Sequence, residues 1–298
     1  MKWQGRRQSQ NIEDRRGQLS SRGRTGNRLL GFLPMLLRGR LGKFGFVLAA
    51  GIVILQFVDV GSFLPSVSQQ QVASNSSSSF KSGLDGPADE FVAVVLAETE
   101  QTWKNLLSQE GRSYPEPKLV LYREQVASAC GNYSSAVGPF YCPADQKIYL
   151  DLSFLDTLRS RLDAPGDFAA AYVVAHEVGH HIQNVLGINR EVASSSKGLS
   201  QVEKNRLSVA QELQADCFSG LWANRSSSGL IEDGDISEGL RAAAAIGDDT
   251  LQKNAGRAVR PETFTHGSSA ERMYWFKRGY EKGTLAACDP FNRASLSH

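Results

Sequence analysis

Cysteine, histidine and methionine are scarce in this chain of 298 residues, which holds four Cys, five His and three Met. No two Cys stand in a CxxC pair, which argues against a cysteine-based zinc site. No segment repeats at the periods of solenoid folds. Neither sign of charge dominates, with 33 Lys plus Arg against 31 Asp plus Glu. The composition lies close to the globular average and excludes a collagen-like, coiled-coil or wholly disordered chain. The length suffices for one large domain or two small ones with a sizeable core.

The near-zero net charge hides a division. Residues 1–43 carry 11 Lys or Arg and only two acids, Glu13 and Asp14. The remainder carries 22 basic and 29 acidic groups. Directly after Lys43 comes Phe44–Val58, 15 residues without charge, and after Asp59 the apolar character continues to Leu64. A helix over 44–64 would span about 31 Å, enough for the hydrocarbon core of a bilayer. Arg22, Arg24, Arg28, Arg38, Arg40 and Lys43 precede it, and no basic residue follows before Lys81. The positive-inside rule then predicts a basic cytoplasmic tail over 1–43, a transmembrane anchor over 44–64 and an exported remainder, periplasmic or at the cell surface. No small-x-small cleavage site follows, so the segment reads as an uncleaved anchor. An Arg-rich flank beside a membrane segment serves topology and anionic lipid, so no nucleic-acid partner is expected. The Ser- and Gln-rich stretch to residue 86 reads as a flexible linker.

From Pro87 the pattern becomes that of a globular domain reaching residue 298, mostly α with a small sheet. Phe91, Val94, Val95, Thr99, Trp103 and Leu106 recur at helical spacing. Lys118–Tyr122 and Lys147–Asp151 read as short strands, with a loop between Cys130 and Cys142. Helices are expected over 153–162, from Asp167 to Leu186 with Gly187 as its stop, over 200–224, over 235–246 and over 268–281. All four Cys follow the membrane segment, and in an oxidising compartment two disulfides are possible. Cys130–Cys142 with Cys217–Cys288 is the preferred pairing, because the first loop is short and easy to close.

Three of the five His fall in one stretch, Val174-Ala175-His176-Glu177-Val178-Gly179-His180-His181. On a helix His176 and His180 share a face one turn apart, so both imidazoles can reach one ion, and Glu177 can reach a water in its open position. His181 points about 100° away and is not expected to ligate. A third ligand is missing locally. The His that would extend the motif in metzincins is replaced by Leu186, and the Gly by Gln183. Gln211-Glu212-Leu213-Gln214-Ala215-Asp216 supplies the alternative, with Glu212 and Asp216 at i, i+4 on one face. Glu212 would be the third ligand, and Asp216 would accept a hydrogen bond from the far nitrogen of a ligating His.

HExxH followed by ExxxD is the gluzincin pattern. GPFYCPADQKIYLDLSF, HEVGHHIQN, ELQADCFSGLWA, AAAAIGDD and FTHGSSAERMYWF together resemble the bacterial family of neutral zinc metallopeptidases, over roughly residues 114–291. The resemblance implies a zincin-like α+β domain with one Zn²⁺ held by His176, His180 and Glu212, with Glu177 as general base. It also implies a peptide or protein substrate. His266, just before the last helix, resembles the Thr-His segment of related membrane peptidases and is the candidate donor to a developing oxyanion. Its plainer role is helix entry, with Ser268 as cap. Tyr149 and Tyr172 are further donor candidates. The strand Lys147–Asp151 is the expected edge along which an extended substrate adds. The rival reading is a non-catalytic, membrane-tethered module in which zinc holds two helices together. Oligomeric state is not legible.

Overall fold

The helix predicted from the Phe91 periodicity forms as α1 (Pro87–Gln109), with Pro87 where a missing N–H costs nothing. The computed structural model describes residues 1–17, 86–160, 162 and 164–291. A four-stranded sheet runs in the order β1 (Ile12–Asp14), β2 (Lys118–Tyr122), β6 (Lys147–Asp151) and β5 (Phe140–Cys142). β1 and β6 both lie parallel to β2, and β5 closes the sheet antiparallel to β6, with Phe140 opposite Tyr149. The predicted strand Lys147–Asp151 is therefore interior, paired on both sides, and the edge is β5. The stretch from Cys130 to Cys142, read as a loop, holds β5 and half of a hairpin, β3 (Gln125–Ser128) with β4 (Gly131–Ser134). Both preferred disulfides, Cys130–Cys142 and Cys217–Cys288, are present.

The helices follow as α2 (Ser153–Ser160), α3 (Asp167–Leu186), α4 (Ile188–Ser195), α5 (Gln201–Arg225), α6 (Asp235–Ala245), α7 (Asp248–Asn254) and α8 (Ser269–Lys282). Gly187 stops α3 in the left-handed conformation that glycine adopts without strain, and the chain turns at once into α4. Ser200 and Ser268 open α5 and α8 as reciprocal capping boxes with Glu203 and Glu271. Phe168, Tyr172, Val178 and Ile182 of α3 are buried against Leu213, Phe218, Leu221 and Trp222 of α5 and Phe276 of α8. Each such side chain removed from water contributes about 1.5–3 kcal/mol. Two close crossings set the spacing. A Cβ on Gly179 of α3 would stand 3.0 Å from the Ala215 backbone of α5, and one on Gly279 of α8 would overlap the Cys217 carbonyl.

Residues 1–17, expected as part of a cytoplasmic tail, belong instead to this body. Besides β1, they supply counter-charges to buried acids of α1. Arg16 pairs with Asp89 at 2.8 Å, Arg6 with Glu98 and Arg7 with Glu100, both at 3.1 Å. The Met1 ammonium lies 3.1 Å from Asp167 and 3.3 Å from Asp235. Residues 1–17 and the residues from Gly86 onward belong to one compact unit. Among the described residues no helix is long and apolar enough to cross a membrane. The proposed anchor over 44–64, the rest of the tail and all of the linker before Gly86 lie outside them.

The buried acids of α1 make residues 1–17 necessary for stability. Deleting them is expected to cost about 3–5 kcal/mol or more, the usual effect of orphaning a buried ionic group. A chain in which a short Gly/Ser bridge joins Gly17 to Gly86 keeps these pairs and should unfold near the full-length temperature. Thermal unfolding of both variants checks this.

Candidate metal centre

α3 and α5 cross where Gly179 meets Ala215, and this brings the HExxH and ELQAD turns face to face. The ligand atoms of His176, His180 and Glu212 lie within 4.8 Å of one another. Glu212 Oε2 is 3.1 Å from His176 Nε2, and Oε1 is 3.4 Å from His180 Nε2. Each imidazole is held from behind. His176 Nδ1 donates to Asp216 Oδ1 at 2.8 Å, and His180 Nδ1 donates to Gln183 Oε1 at 3.0 Å. A proton fixed on Nδ1 leaves the Nε2 lone pair of both rings for an ion, the arrangement that metal-binding His usually shows.

The electrostatics fit a cation. Burial opposes a charge on His176, but the Asp216 and Glu212 carboxylates override it and raise its pKa to about 10. His180 is raised for the same reason, with Glu212 outweighing burial. Burial alone would raise Glu212, yet the two imidazoles hold it well below the usual carboxylate range. The cluster thus stabilises positive charge at the point where the Nε2 atoms and Glu212 meet. Two imidazoles and a carboxylate suit Zn²⁺ with one position open.

Asp216 is fully buried and its charge is met from three sides. Arg272 of α8 donates to it through Nε and Nη2, both at 2.9 Å, and the Tyr172 hydroxyl donates at 2.5 Å. Arg272 also donates to the Tyr172 oxygen at 3.2 Å. Sequence reasoning finds Asp216 but not Arg272. It reads Gln183 only as a missing metzincin residue, whereas Gln183 holds His180 and donates to the Gln211 carbonyl at 2.7 Å. Gln214 extends this chain to the Cys288 carbonyl, beside the Cys217–Cys288 bridge.

Glu177 is buried, and burial raises its pKa. It shares with the three ligands a cavity of about 1110 Å³, which His266 and Arg272 also line. His266 keeps its side chain 51% exposed. Its Nδ1 faces Asp248 Oδ1 at 3.2 Å, while Asp248 Oδ2 accepts from the backbone N–H groups of Thr265, His266 and Gly267. The Asp248 hydrogen bond raises the His266 pKa against the pull of burial. Ser268 caps α8 as well, so His266 sits at a helix entry and in the cavity wall at once. His181 is buried between the Pro115 carbonyl at 2.6 Å and the Tyr141 hydroxyl at 3.0 Å, away from the ligand cluster, and burial lowers its pKa. Tyr172 is spent on Asp216, and Tyr149 donates to Asp145 at 2.7 Å. Both hydroxyl protons are thus committed to carboxylates.

Arg272→Gln leaves Asp216 buried without its main counter-charge. It is expected to weaken zinc binding about 10–100-fold by chelator competition, and Arg272→Lys should recover part of that loss. Asp248→Asn removes the group that raises His266. The imidazole titration followed by NMR should then fall toward the ordinary value near 6.5.

The profile of the family described as "Putative neutral zinc metallopeptidase" matches residues 1–291. A protein of Escherichia coli K12, "Uncharacterized protein YpfJ", is 44% identical over 301 residues, covering 99% of this chain and all of the relative. "Uncharacterized protein Rv2575" of Mycobacterium tuberculosis H37Rv is 40% identical over 225 residues, 70% of this chain and 74% of its own. No solved structure matches. The match reaches back to residue 1, so it takes in the N-terminal segment that packs on the body, and the chain belongs to the putative neutral zinc metallopeptidase family.

Proposed function

We propose that this chain is a zinc-dependent peptidase that hydrolyses peptide bonds. The observation that carries the reading is the convergence of His176 Nε2, His180 Nε2 and Glu212 in a cavity that also holds the buried carboxyl of Glu177. One ion fits the three ligands, and bound Zn²⁺ would supply Lewis-acid polarisation of a carbonyl and a water more acidic than bulk. Glu177 takes the proton of the attacking water and returns it to the leaving amine, and burial places its pKa nearer to that task. His266, with Nδ1 committed to Asp248, offers Nε2–H to the oxygen that gains charge. A purely structural zinc site is usually closed by a fourth protein ligand. Among the described residues only His176, His180 and Glu212 converge here, which favours catalysis over the tethered-module reading.

β5, the edge strand, contributes Phe140 and Tyr141 to the cavity wall, so an extended substrate is proposed to add along β5 rather than β6. The two disulfides favour an oxidising compartment for the body, residues 1–17 included. Apolar length and the flanking Arg residues support attachment to a membrane through residues 44–64, but a single crossing there would part residues 1–17 from the body they pack on, so the attachment is proposed without the single-pass topology.

Glu177→Gln is expected to lower peptide hydrolysis by about 10²–10⁴-fold while zinc content, read by metal analysis, stays at one ion per chain. Undiminished hydrolysis in that variant would overturn the assignment.

A further inference from the structure

The walls of the catalytic cavity carry an unusual charge pattern. Every charged or titratable side chain that lines it, tyrosines apart, belongs to the centre just described: His176, Glu177, His180, Glu212, His266 and Arg272. No Lys or Asp lines it, and Arg272 is engaged with Asp216. A second cavity of about 960 Å³ is lined by Arg16, Arg123, Glu124, Asp151, Asp156, Arg159 and Asp167. Charged side chains thus line several parts of that cavity, whereas in the catalytic cavity they are confined to the metal centre and its neighbours.

The remaining wall is largely apolar. Phe140 of β5, Phe154 of α2 and Val173 of α3 line it, as do Ile246 and Leu251 beside and within α7. Val173 stands one helical turn before Glu177 and so shares its face. Five large hydrophobic side chains of the described residues are exposed, and two of them, Val137 (55%) and Leu251 (39%), belong to this lining. Exposed apolar surface continuous with a reactive centre marks a ligand-binding face. A charged substrate side chain placed against this apolar wall, away from Glu177 and His266, would lose water without gaining a counter-ion. A chain terminus, ammonium or carboxylate, would meet the same penalty.

We infer that the groove selects internal segments of extended polypeptide carrying aliphatic or aromatic side chains on both sides of the scissile bond, with Val137, Phe154, Val173 and Leu251 as the residues that set this preference. The inference rests on the peptidase reading and names its substrate class.

The test uses the full-length zinc-loaded protein and internally quenched peptides with blocked ends and a central Phe-Leu pair. Matched peptides carry Asp or Lys at either central position, and a further one has a free terminus beside the pair. Cleavage of the Phe-Leu peptide should exceed that of each charged or free-ended counterpart by about tenfold or more in kcat/KM. Val137→Lys and Leu251→Lys place a charge at exposed positions that the fold tolerates, and each should raise relative cleavage of the Asp peptide several-fold. Equal or better cleavage of the charged peptides overturns the inference and leaves the peptidase reading standing. If nothing is cleaved, the peptidase reading fails. Fluorescence anisotropy of the same peptides on zinc-loaded Glu177→Gln protein then decides the inference separately. Preferential binding of the Phe-Leu peptide supports it, and equal or absent binding overturns it.

Discussion

A carboxylate with no exposure to water, Asp216, organises the centre of this protein. Burying that charge uncompensated would cost several kcal/mol, so α3 and α8 must each deliver partners to it. α3 delivers Tyr172 and His176, α5 carries the carboxylate itself, and α8 delivers Arg272. The helices cannot slide against one another without breaking a bond to Asp216. That constraint fixes the direction of the His176 ring, and with it one of the three ligand positions. The pair is a poor source of net stability for its size, since apolar replacements of buried ion pairs are often as stable. What it supplies is geometry.

Backbone proximity makes this possible. The ligand-bearing turns meet because Gly179 and Ala215 allow α3 and α5 to touch backbone to side chain, and Gly279 brings α8 onto Cys217 in the same way. A second network, from His180 through Gln183 and Gln214 to the Cys288 carbonyl, runs beside the Cys217–Cys288 bridge. One ligand is thus braced by an ionic cluster and the other by neutral amides tied to a covalent link. The two braces are independent, so loss of one leaves the other ring in place.

What could be read from sequence divides along the distance between partners. Helices α1, α3, α5 and α8 are legible because their apolar periodicity and end signals are local. His176, Glu177 and His180 lie within a single helical turn, and Glu212 and Asp216 within another, so each half of the site announces itself. Arg272 lies 56 residues from Asp216 and Asp248 lies 18 from His266, and nothing local marks either pairing. β1 is three residues long and shows no alternation, so only its parallel partner makes it a strand. Summing charge along the chain separated Arg6, Arg7 and Arg16 from Glu98, Glu100 and Asp89. In space they are ion pairs, and a division into basic tail and acidic body describes the order of residues rather than their placement.

The position of β1 also bears on how the molecule assembles. Ile12 pairs with Leu119, so β1 has no sheet to join until about a hundred further residues exist. Arg6, Arg7 and Arg16 pair with acids of α1, which precedes β2 in the chain, so those contacts do not depend on the sheet. Closing so long a loop carries an entropic cost that local helix contacts do not. The helical core around α3 and α5 is therefore positioned to condense first, and docking of the N-terminal strand becomes a late, slow step that seals the sheet edge opposite β5.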